Sequence, residues 1–152
     1  MSATIEVQFA CKTPRLASKQ KVRTWAGEVL RGHSGEHEVT VRIVDEAEGA
    51  ELNQTFRQRD GATNVLSFAF ETPPVTDAPR LGDIAVCAPI VKREASEQGK
   101  TLEAHCAHLV VHGALHLLGY NHQNREEAEQ MESEEVAILA RLGYSDPYAA
   151  GS

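Results

Sequence analysis

The chain has 152 residues, of which 41% are hydrophobic, so it is long and apolar enough for one domain with a sizeable core and unlike a disordered chain. No apolar run approaches the ~20 residues that a membrane-spanning helix needs. The net charge of −7 argues weakly against nucleic-acid binding, because a basic surface is the usual sign of that function.

Hydrophobic periodicity divides the chain into alternating strand patterns and helical stripes. In chain order it predicts a strand at 4–10, a helix at 14–31, a strand at 38–45, a helix at 48–56, strands at 65–70 and 81–87, and helices at 89–99, 102–118 and 125–142. Pro14 suits the first turn of the first helix, and Thr101 suits the N-cap of the fourth. Loops are expected at 32–35 and 72–80, and a frayed tail at 143–152. This order predicts an α+β fold, with about five helices packed on a four-stranded mixed sheet.

The cysteines and the start of the chain favour a cytoplasmic location. Cys11, Cys87 and Cys106 are odd in number and far apart in sequence, so we expect reduced thiols. The first residues show no basic segment followed by an apolar one, so we expect no secretory signal. A basic stretch at 12–31 is compatible with polyanion binding, although solvated helix faces explain it equally well.

The most informative motif is HGALHLLGYNH at 112–122, which contains three of the seven histidines. On a helix, His112 and His116 share a face and lie about 6 Å apart along the axis. Gly119 can end the helix in a left-handed conformation, so the chain can fold back and bring His122 to the same point. Three imidazoles with one open position predict a catalytic divalent metal site, which we expect to hold zinc. A structural zinc, or a helix that is merely rich in histidine, is the alternative.

The spacing H-x3-H-x2-G-x2-H is that of the metzincin proteases, so we expect a zincin-like metal helix. Those proteases carry a glutamate directly after the first histidine, where it acts as the general base. Here that position is Gly113, which has no side chain to move a proton. The ordinary protease mechanism is therefore disfavoured.

Several blocks of the chain resemble the YbeY family of bacterial rRNA maturation factors. HGALHLLGYNH is similar to the family signature HGxLHLxGYDH, and FRQRDGATNVLSF is similar to the block YRxxDxxTDVLSF. The segment LGDI at 81–84 and the acidic last helix, with Met131 and Glu135, also match. The similarity covers roughly residues 50–142, with the blocks in the family's order.

Three residues depart from the family pattern. Phe56 replaces the usual Tyr, and Asn64 and Asn121 each replace an Asp. Asn121 lacks the negative charge that could raise the basicity of a histidine ligand. We therefore expect metal affinity or the pH profile to differ, with the same ligands.

The resemblance implies a zinc-dependent endoribonuclease specific for single-stranded RNA, acting in 3′-end maturation of small-subunit rRNA and in ribosome quality control. It implies His112, His116 and His122 as metal ligands and Arg57 as the catalytic arginine. The implied partners are rRNA, ribosomal particles, and ribosomal proteins or GTPase assembly factors, without a membrane. A guanidinium such as Arg57 can clamp a phosphate and stabilise developing charge, whereas a structural salt bridge at a helix end is its alternative role. Residues 1–152 are expected to form a single metal-dependent hydrolase domain.

Two other functions stay open. One is an atypical metallopeptidase whose base comes from a distant carboxylate, and the other is a ribosome-associated binding factor with a mainly structural metal. His105 and His108 share the helical face of His112, within about 60°. We expect each of them to be a hydrogen-bonded, partly buried histidine rather than a ligand.

Overall fold

The computed structural model describes residues 3–12, 17–32, 37–69, 80–121 and 123–148. In these ranges the elements are β1 (Ala3–Ala10), α1 (Lys19–Arg31), β2 (His37–Val44), α2 (Glu46–Arg57), β3 (Val65–Ala69), β4 (Arg80–Cys87), α3 (Ala88–Gln98), α4 (Leu102–Leu117) and α5 (Arg125–Leu142). This confirms the predicted α+β fold, with four strands and five helices in the described part of the chain. None of these described helices is long and apolar enough to cross a lipid bilayer.

The four strands form one mixed sheet in the order β1-β2-β4-β3. β1 pairs with β2, and β2 with β4, in parallel, whereas β3 runs antiparallel to β4. The register of that antiparallel pair places Val65 opposite Val86 and Phe68 opposite Asp83. β3 is therefore an edge strand of this sheet, with β4 on one side of it.

The main core lies between the sheet and helices α1, α4 and α5. Alternate residues of β2, namely Val39, Val41 and Ile43, are buried in it because successive side chains of a strand point to opposite faces. α4 contacts α1, α3, α5, β3 and β4, so it is surrounded by the rest of the domain. The core therefore holds His112 and His116 on a fixed helix.

Helix α1 begins later than predicted. It was expected to start at Pro14 but starts at Lys19, because the Ser18 hydroxyl accepts a hydrogen bond from the Lys21 backbone N–H at 3.2 Å and caps the helix. Pro14 lies outside the described residues. So do most of the predicted turn at 32–35 and all but the last residue of the loop predicted at 72–80.

The described part of the predicted frayed tail, 143–148, packs against the domain. The Tyr144 ring meets the Trp25 ring edge-on at 6.2 Å between centroids, and the Tyr144 hydroxyl donates to Glu103 at 2.6 Å. The Tyr148 hydroxyl donates to a carboxylate of α5. Over these six residues the structure therefore differs from the expectation, because two tyrosines find partners that periodicity does not reveal.

Candidate active site

Helix α4 presents His112 and His116 side by side. Its N-terminus is capped as predicted, since the Thr101 hydroxyl accepts from the Ala104 backbone N–H at 3.1 Å. Gly119 follows the helix with a φ of 103°, the left-handed conformation expected of it. The Nε2 atoms of the two histidines lie 3.1 Å apart. Two ligands of one tetrahedral zinc lie about 3.4 Å from each other, so this spacing fits a shared metal.

The third predicted ligand, His122, lies outside the described residues. The structure thus brings together two of the three predicted ligands. Within the described ranges, no group of three histidine, cysteine or acidic side chains is arranged to hold a metal ion. The role of His122 stays a prediction.

A buried carboxylate lies behind the histidine pair. Glu135 of α5 is 0% exposed, and its Oε2 accepts from His112 Nδ1 at 2.6 Å. Its Oε1 accepts from His108 Nε2 at 2.8 Å and from the Tyr148 hydroxyl. Burial alone would raise the pKa of Glu135, but these hydrogen bonds outweigh it and lower the pKa from 4.5 to about 2. We call these four residues the Glu135 network, and its carboxylate is ionised at neutral pH.

The Glu135 network decides which nitrogen of His112 can bind a metal. An ionised carboxylate only accepts hydrogen bonds, so the proton of the His112–Glu135 contact belongs to Nδ1 of His112. The Nε2 lone pair is then directed toward His116. A carboxylate on the other ring nitrogen is the usual support of a ligating histidine, because it orients the ring and raises its basicity. The donor set therefore fits a divalent metal, and Glu135 supplies the negative charge that Asn121 lacks.

Gly113 lies where α4 crosses the sheet. A Cβ at this position would lie 3.0 Å from Ile84 Cγ2 and 3.1 Å from Ser67 Oγ, closer than side chains normally pack. The Ser67 hydroxyl also donates to the Gly113 carbonyl at 3.0 Å, which holds β3 against the helix. Even the first side-chain atom of a glutamate would therefore be crowded at the position that carries the base in metzincins.

Arg57 is the last residue of α2 and lines the same cleft as His112 and His116. The cleft has a volume of about 2090 Å³. Arg57 Nη2 donates to the Ser67 carbonyl at 2.9 Å, and the side chain is otherwise largely exposed. That partner is neutral, so the contact positions the guanidinium without compensating its charge. This arrangement favours the phosphate-binding interpretation of Arg57 over a structural salt bridge.

The end of α2 is fixed by the turn that follows it. Gln58 adopts the left-handed conformation, with φ 56° and ψ 39°, and ends the helix. The Arg59 backbone N–H then donates to the Asn53 carbonyl at 3.3 Å. The buried Asn53 side chain donates to the Gly61 carbonyl at 2.7 Å. These bonds hold the backbone on both sides of Arg57.

Asn64 is one of the three residues that differ from the family pattern, and its side chain hydrogen-bonds to two neighbouring residues. Its Nδ2 donates to Glu94 Oε1 at 3.1 Å, and its Oδ1 accepts from the Val65 backbone N–H at 2.7 Å. Glu94 Oε1 also lies 2.9 Å from Nε2 of His105, which is 4% exposed. An aspartate at position 64 has no proton to donate to Glu94 at neutral pH. His105 and His108 each form the expected hydrogen bond, through Nε2, although His105 is buried rather than partly buried and neither Nδ1 has a hydrogen-bond partner among the described residues.

We expect Asn64→Asp to lower the free energy of unfolding by about 1–2 kcal/mol at pH 8, because two partly buried carboxylates would then repel each other. The loss should shrink as the pH falls through about 4–5, where one carboxylate takes up a proton. Urea unfolding at pH 8 and pH 4.5 measures both values. Gln54→Glu, an acidic change at an exposed position of α2, is the control and should change stability by less than about 0.5 kcal/mol. Equal losses at the two pH values would contradict the repulsion.

The roles of Glu135 and Tyr148 were not predicted from the sequence. The helical pattern could have indicated that Glu135 is buried, because this residue lies on the same face of α5 as Met131, Ile138 and Leu139. An acid on a buried face needs a partner. No sequence pattern indicated a role for Tyr148, since it follows the last helix in a stretch without periodicity.

Comparison with known proteins identifies the family. The family model described as Endoribonuclease YbeY matches residues 7–143. A Stutzerimonas stutzeri protein named Endoribonuclease YbeY is 53% identical over 150 residues, which cover 97% of this chain and 94% of the relative. A Pseudomonas putida protein of the same name is 58% identical over 129 residues, covering 84% and 82%. The solution structure of TM1509 from Thermotoga maritima matches with a TM-score of 0.61 and 29% identity, over 96% of this chain and 99% of that one. The chain therefore belongs to the endoribonuclease YbeY family.

Proposed function

We propose that this chain is a metal-dependent endoribonuclease, built as a single hydrolase domain, that cleaves single-stranded RNA in the cytoplasm. We further propose that it acts in 3′-end maturation of small-subunit rRNA and in ribosome quality control. One observation supports the chemistry above all. A histidine pair, in which a buried carboxylate orients His112, lines the same cleft as an exposed arginine.

We propose that His112, His116 and His122 hold the metal, with zinc as the expected ion. When bound by neutral histidines, such an ion keeps its positive charge and can stabilise negative charge on a phosphate. Glu135 keeps the proton of His112 on Nδ1 and thereby presents Nε2 as the donor. Because Glu135 is buried and both of its oxygens accept hydrogen bonds, it acts on His112 rather than on the substrate.

Arg57 binds the substrate in this proposal. Its planar guanidinium can donate two hydrogen bonds to one phosphate, and the contact with the Ser67 carbonyl limits where it can point. Gly113 has no side chain that could move a proton, and its neighbours would crowd even a Cβ, so the base that a metzincin would use is missing here.

The charge of the chain bears on its partners. With a net charge of −7, the protein gains little from the nonspecific attraction that dominates most nucleic-acid binding. We therefore propose that ribosomal particles, together with ribosomal proteins or GTPase assembly factors, bring the RNA to the cleft. Cleavage of isolated RNA should accordingly be slow and should change little as salt is added.

The test is cleavage of a single-stranded RNA by wild type, Arg57→Ala and Arg57→Lys, with bound metal measured in each preparation. We expect Arg57→Ala to hold the same metal and to cut about tenfold more slowly, because one charged hydrogen-bonding contact to the phosphate is lost. Arg57→Lys should recover part of the rate, since it keeps the charge without the planar fork.

His116→Ala serves as the metal-binding control and as a check for contaminating nuclease. Cleavage that persists in this variant would contradict the proposed metal site. If wild type holds metal, binds ribosomal particles and cuts no RNA on or off them, the binding-factor alternative replaces the proposed function.

A further inference from the structure

A phenylalanine at the rim of the cleft is exposed to solvent. Phe56 is 60% exposed, and only Tyr148 joins it among large, strongly exposed hydrophobic residues in the described part of the chain. Tyr148 has a partner that explains its place, because its hydroxyl donates to Glu135. Phe56 has no polar side-chain group, so no side-chain hydrogen bond compensates for the exposure of its ring to water.

Phe56 does not stand alone. Its ring lies 4.7 Å from the ring of Phe68, measured between centroids, with a tilt of 49°. Phe68 is half-buried in the edge strand β3 and supports the Phe56 ring from one side. We call Phe56 and Phe68 the aromatic shelf.

The aromatic shelf lies beside Arg57. Phe56 precedes Arg57 in α2, and Phe68 follows Ser67 in β3. Two adjacent contacts therefore join α2 to β3. One is between the two rings, and the other runs from Arg57 Nη2 to the Ser67 carbonyl. All four residues line the cleft that also contains His112.

We propose that the aromatic shelf stacks an unpaired base of the RNA whose phosphate is bound by Arg57. Stacking on an aromatic ring tolerates any base, because every base has a π face. It also requires a base that is not already stacked in a duplex, so the shelf selects single strands. This inference rests on the proposed function and names the group that positions its substrate.

The test is steady-state cleavage of a single-stranded oligoribonucleotide by wild type, Phe56→Ala, Phe56→Leu and Phe56→Tyr. We expect Phe56→Ala to raise KM about five- to tenfold and to leave kcat and bound metal within twofold. Phe56→Tyr should match wild type. Phe56→Leu keeps an apolar side chain without a π face, so a KM close to that of Phe56→Ala supports stacking, and a wild-type KM contradicts it.

A second measurement locates the base. Single abasic sites are moved along the oligoribonucleotide, and one position should raise the KM of wild type as much as Phe56→Ala does. At that position the abasic site should add little to the effect of Phe56→Ala, because both remove the same contact. Multiplicative effects at every position would overturn the inference.

Failure of the shelf and failure of the proposed function give different results. Phe56→Trp places a reporter on the rim, whereas Trp25 is 2% exposed in the core. A single-stranded 2′-O-methyl oligonucleotide, which keeps every base, should quench the new fluorescence. Cleavage by wild type without this quenching rejects the shelf and keeps the nuclease, and quenching without any cleavage keeps the shelf and rejects the nuclease.

Discussion

Replacing Glu135 with glutamine is expected to weaken metal binding about 10- to 100-fold and to lower the free energy of unfolding of the metal-free protein by about 2–4 kcal/mol. The carboxylate accepts hydrogen bonds from His108, His112 and Tyr148, and it is fully buried. Glutamine puts an NH2 group in place of one acceptor oxygen, so donors face donors. His112 then loses the group that keeps its proton on Nδ1 and its ring in place.

The stability effect of Glu135→Gln should depend on pH. The folded-state pKa of Glu135 is about 2 and the ordinary value is 4.5, a difference equivalent to about 3 kcal/mol. Because the pKa is lowered by folding, the carboxylate stabilises the protein fully above about pH 4.5, and this contribution is lost as the pH falls toward 2. The free energies of unfolding of wild type and Glu135→Gln should therefore differ most above pH 5 and become similar in acid.

Chemical unfolding at several pH values, together with competition for zinc against a chelator, measures both effects of Glu135→Gln. Glu132→Gln removes the same charge from an exposed position of α5 and is the matched control. It should keep metal affinity within about twofold and stability within about 0.5 kcal/mol. Zinc affinity unchanged by Glu135→Gln would show that Glu135 does not support the metal site.

Introducing the metzincin glutamate by Gly113→Glu is expected to prevent folding rather than to create a protease. The Cβ alone would lie 3.0 Å from Ile84 Cγ2 and 3.1 Å from Ser67 Oγ, and a carboxylate would be forced between α4 and the sheet. Gly113→Ala is expected to fold with a net loss of up to about 2 kcal/mol, because overpacking costs about 1–3 kcal/mol and alanine gains ~1 kcal/mol in a helix. Circular dichroism and thermal unfolding report both outcomes.

Gly27→Ala in α1 is the matched control for the change at Gly113. A Cβ at Gly27 would lie 3.7 Å from Ile5 Cδ1, an ordinary contact, so this variant should gain stability. Adding Ser67→Ala to Gly113→Ala removes the atom at 3.1 Å and should recover part of the loss. A folded Gly113→Glu protein of wild-type stability would show that this crossing is looser than the distances indicate.

Residue patterns predict much of this fold because local physics decides much of it. The nine elements and their order follow from periodicity, and the Thr101 cap follows from side-chain chemistry. The pairing of His112 with His116 follows from helical geometry. The predicted start of α1 was wrong because a proline is compatible with the first turn of a helix but does not make a helix begin there. The Ser18 hydroxyl instead accepts a hydrogen bond that caps the helix.

The remainder of the site depends on contacts between residues far apart in sequence. Glu135 meets His112 across 23 positions, and Ser67 meets the Gly113 carbonyl across 46. No local pattern encodes such a distance, although the place of Glu135 on the buried face of α5 was a usable sign. Similarly, no local pattern predicts the hydrogen bond that Asn64 donates to Glu94, 30 positions away.

The contact between Tyr148 and His108 spans 40 positions, and this has a consequence for synthesis. A ribosome makes the chain from its N-terminus, so α4 and its histidines leave the exit tunnel well before Tyr148 does. Until Tyr148 has left the tunnel, Glu135 lacks its hydroxyl partner. The pocket around His108 and His112 therefore reaches its final form only after translation has passed residue 148. A nuclease assembled in this order stays incompletely formed while most of its own chain is being translated.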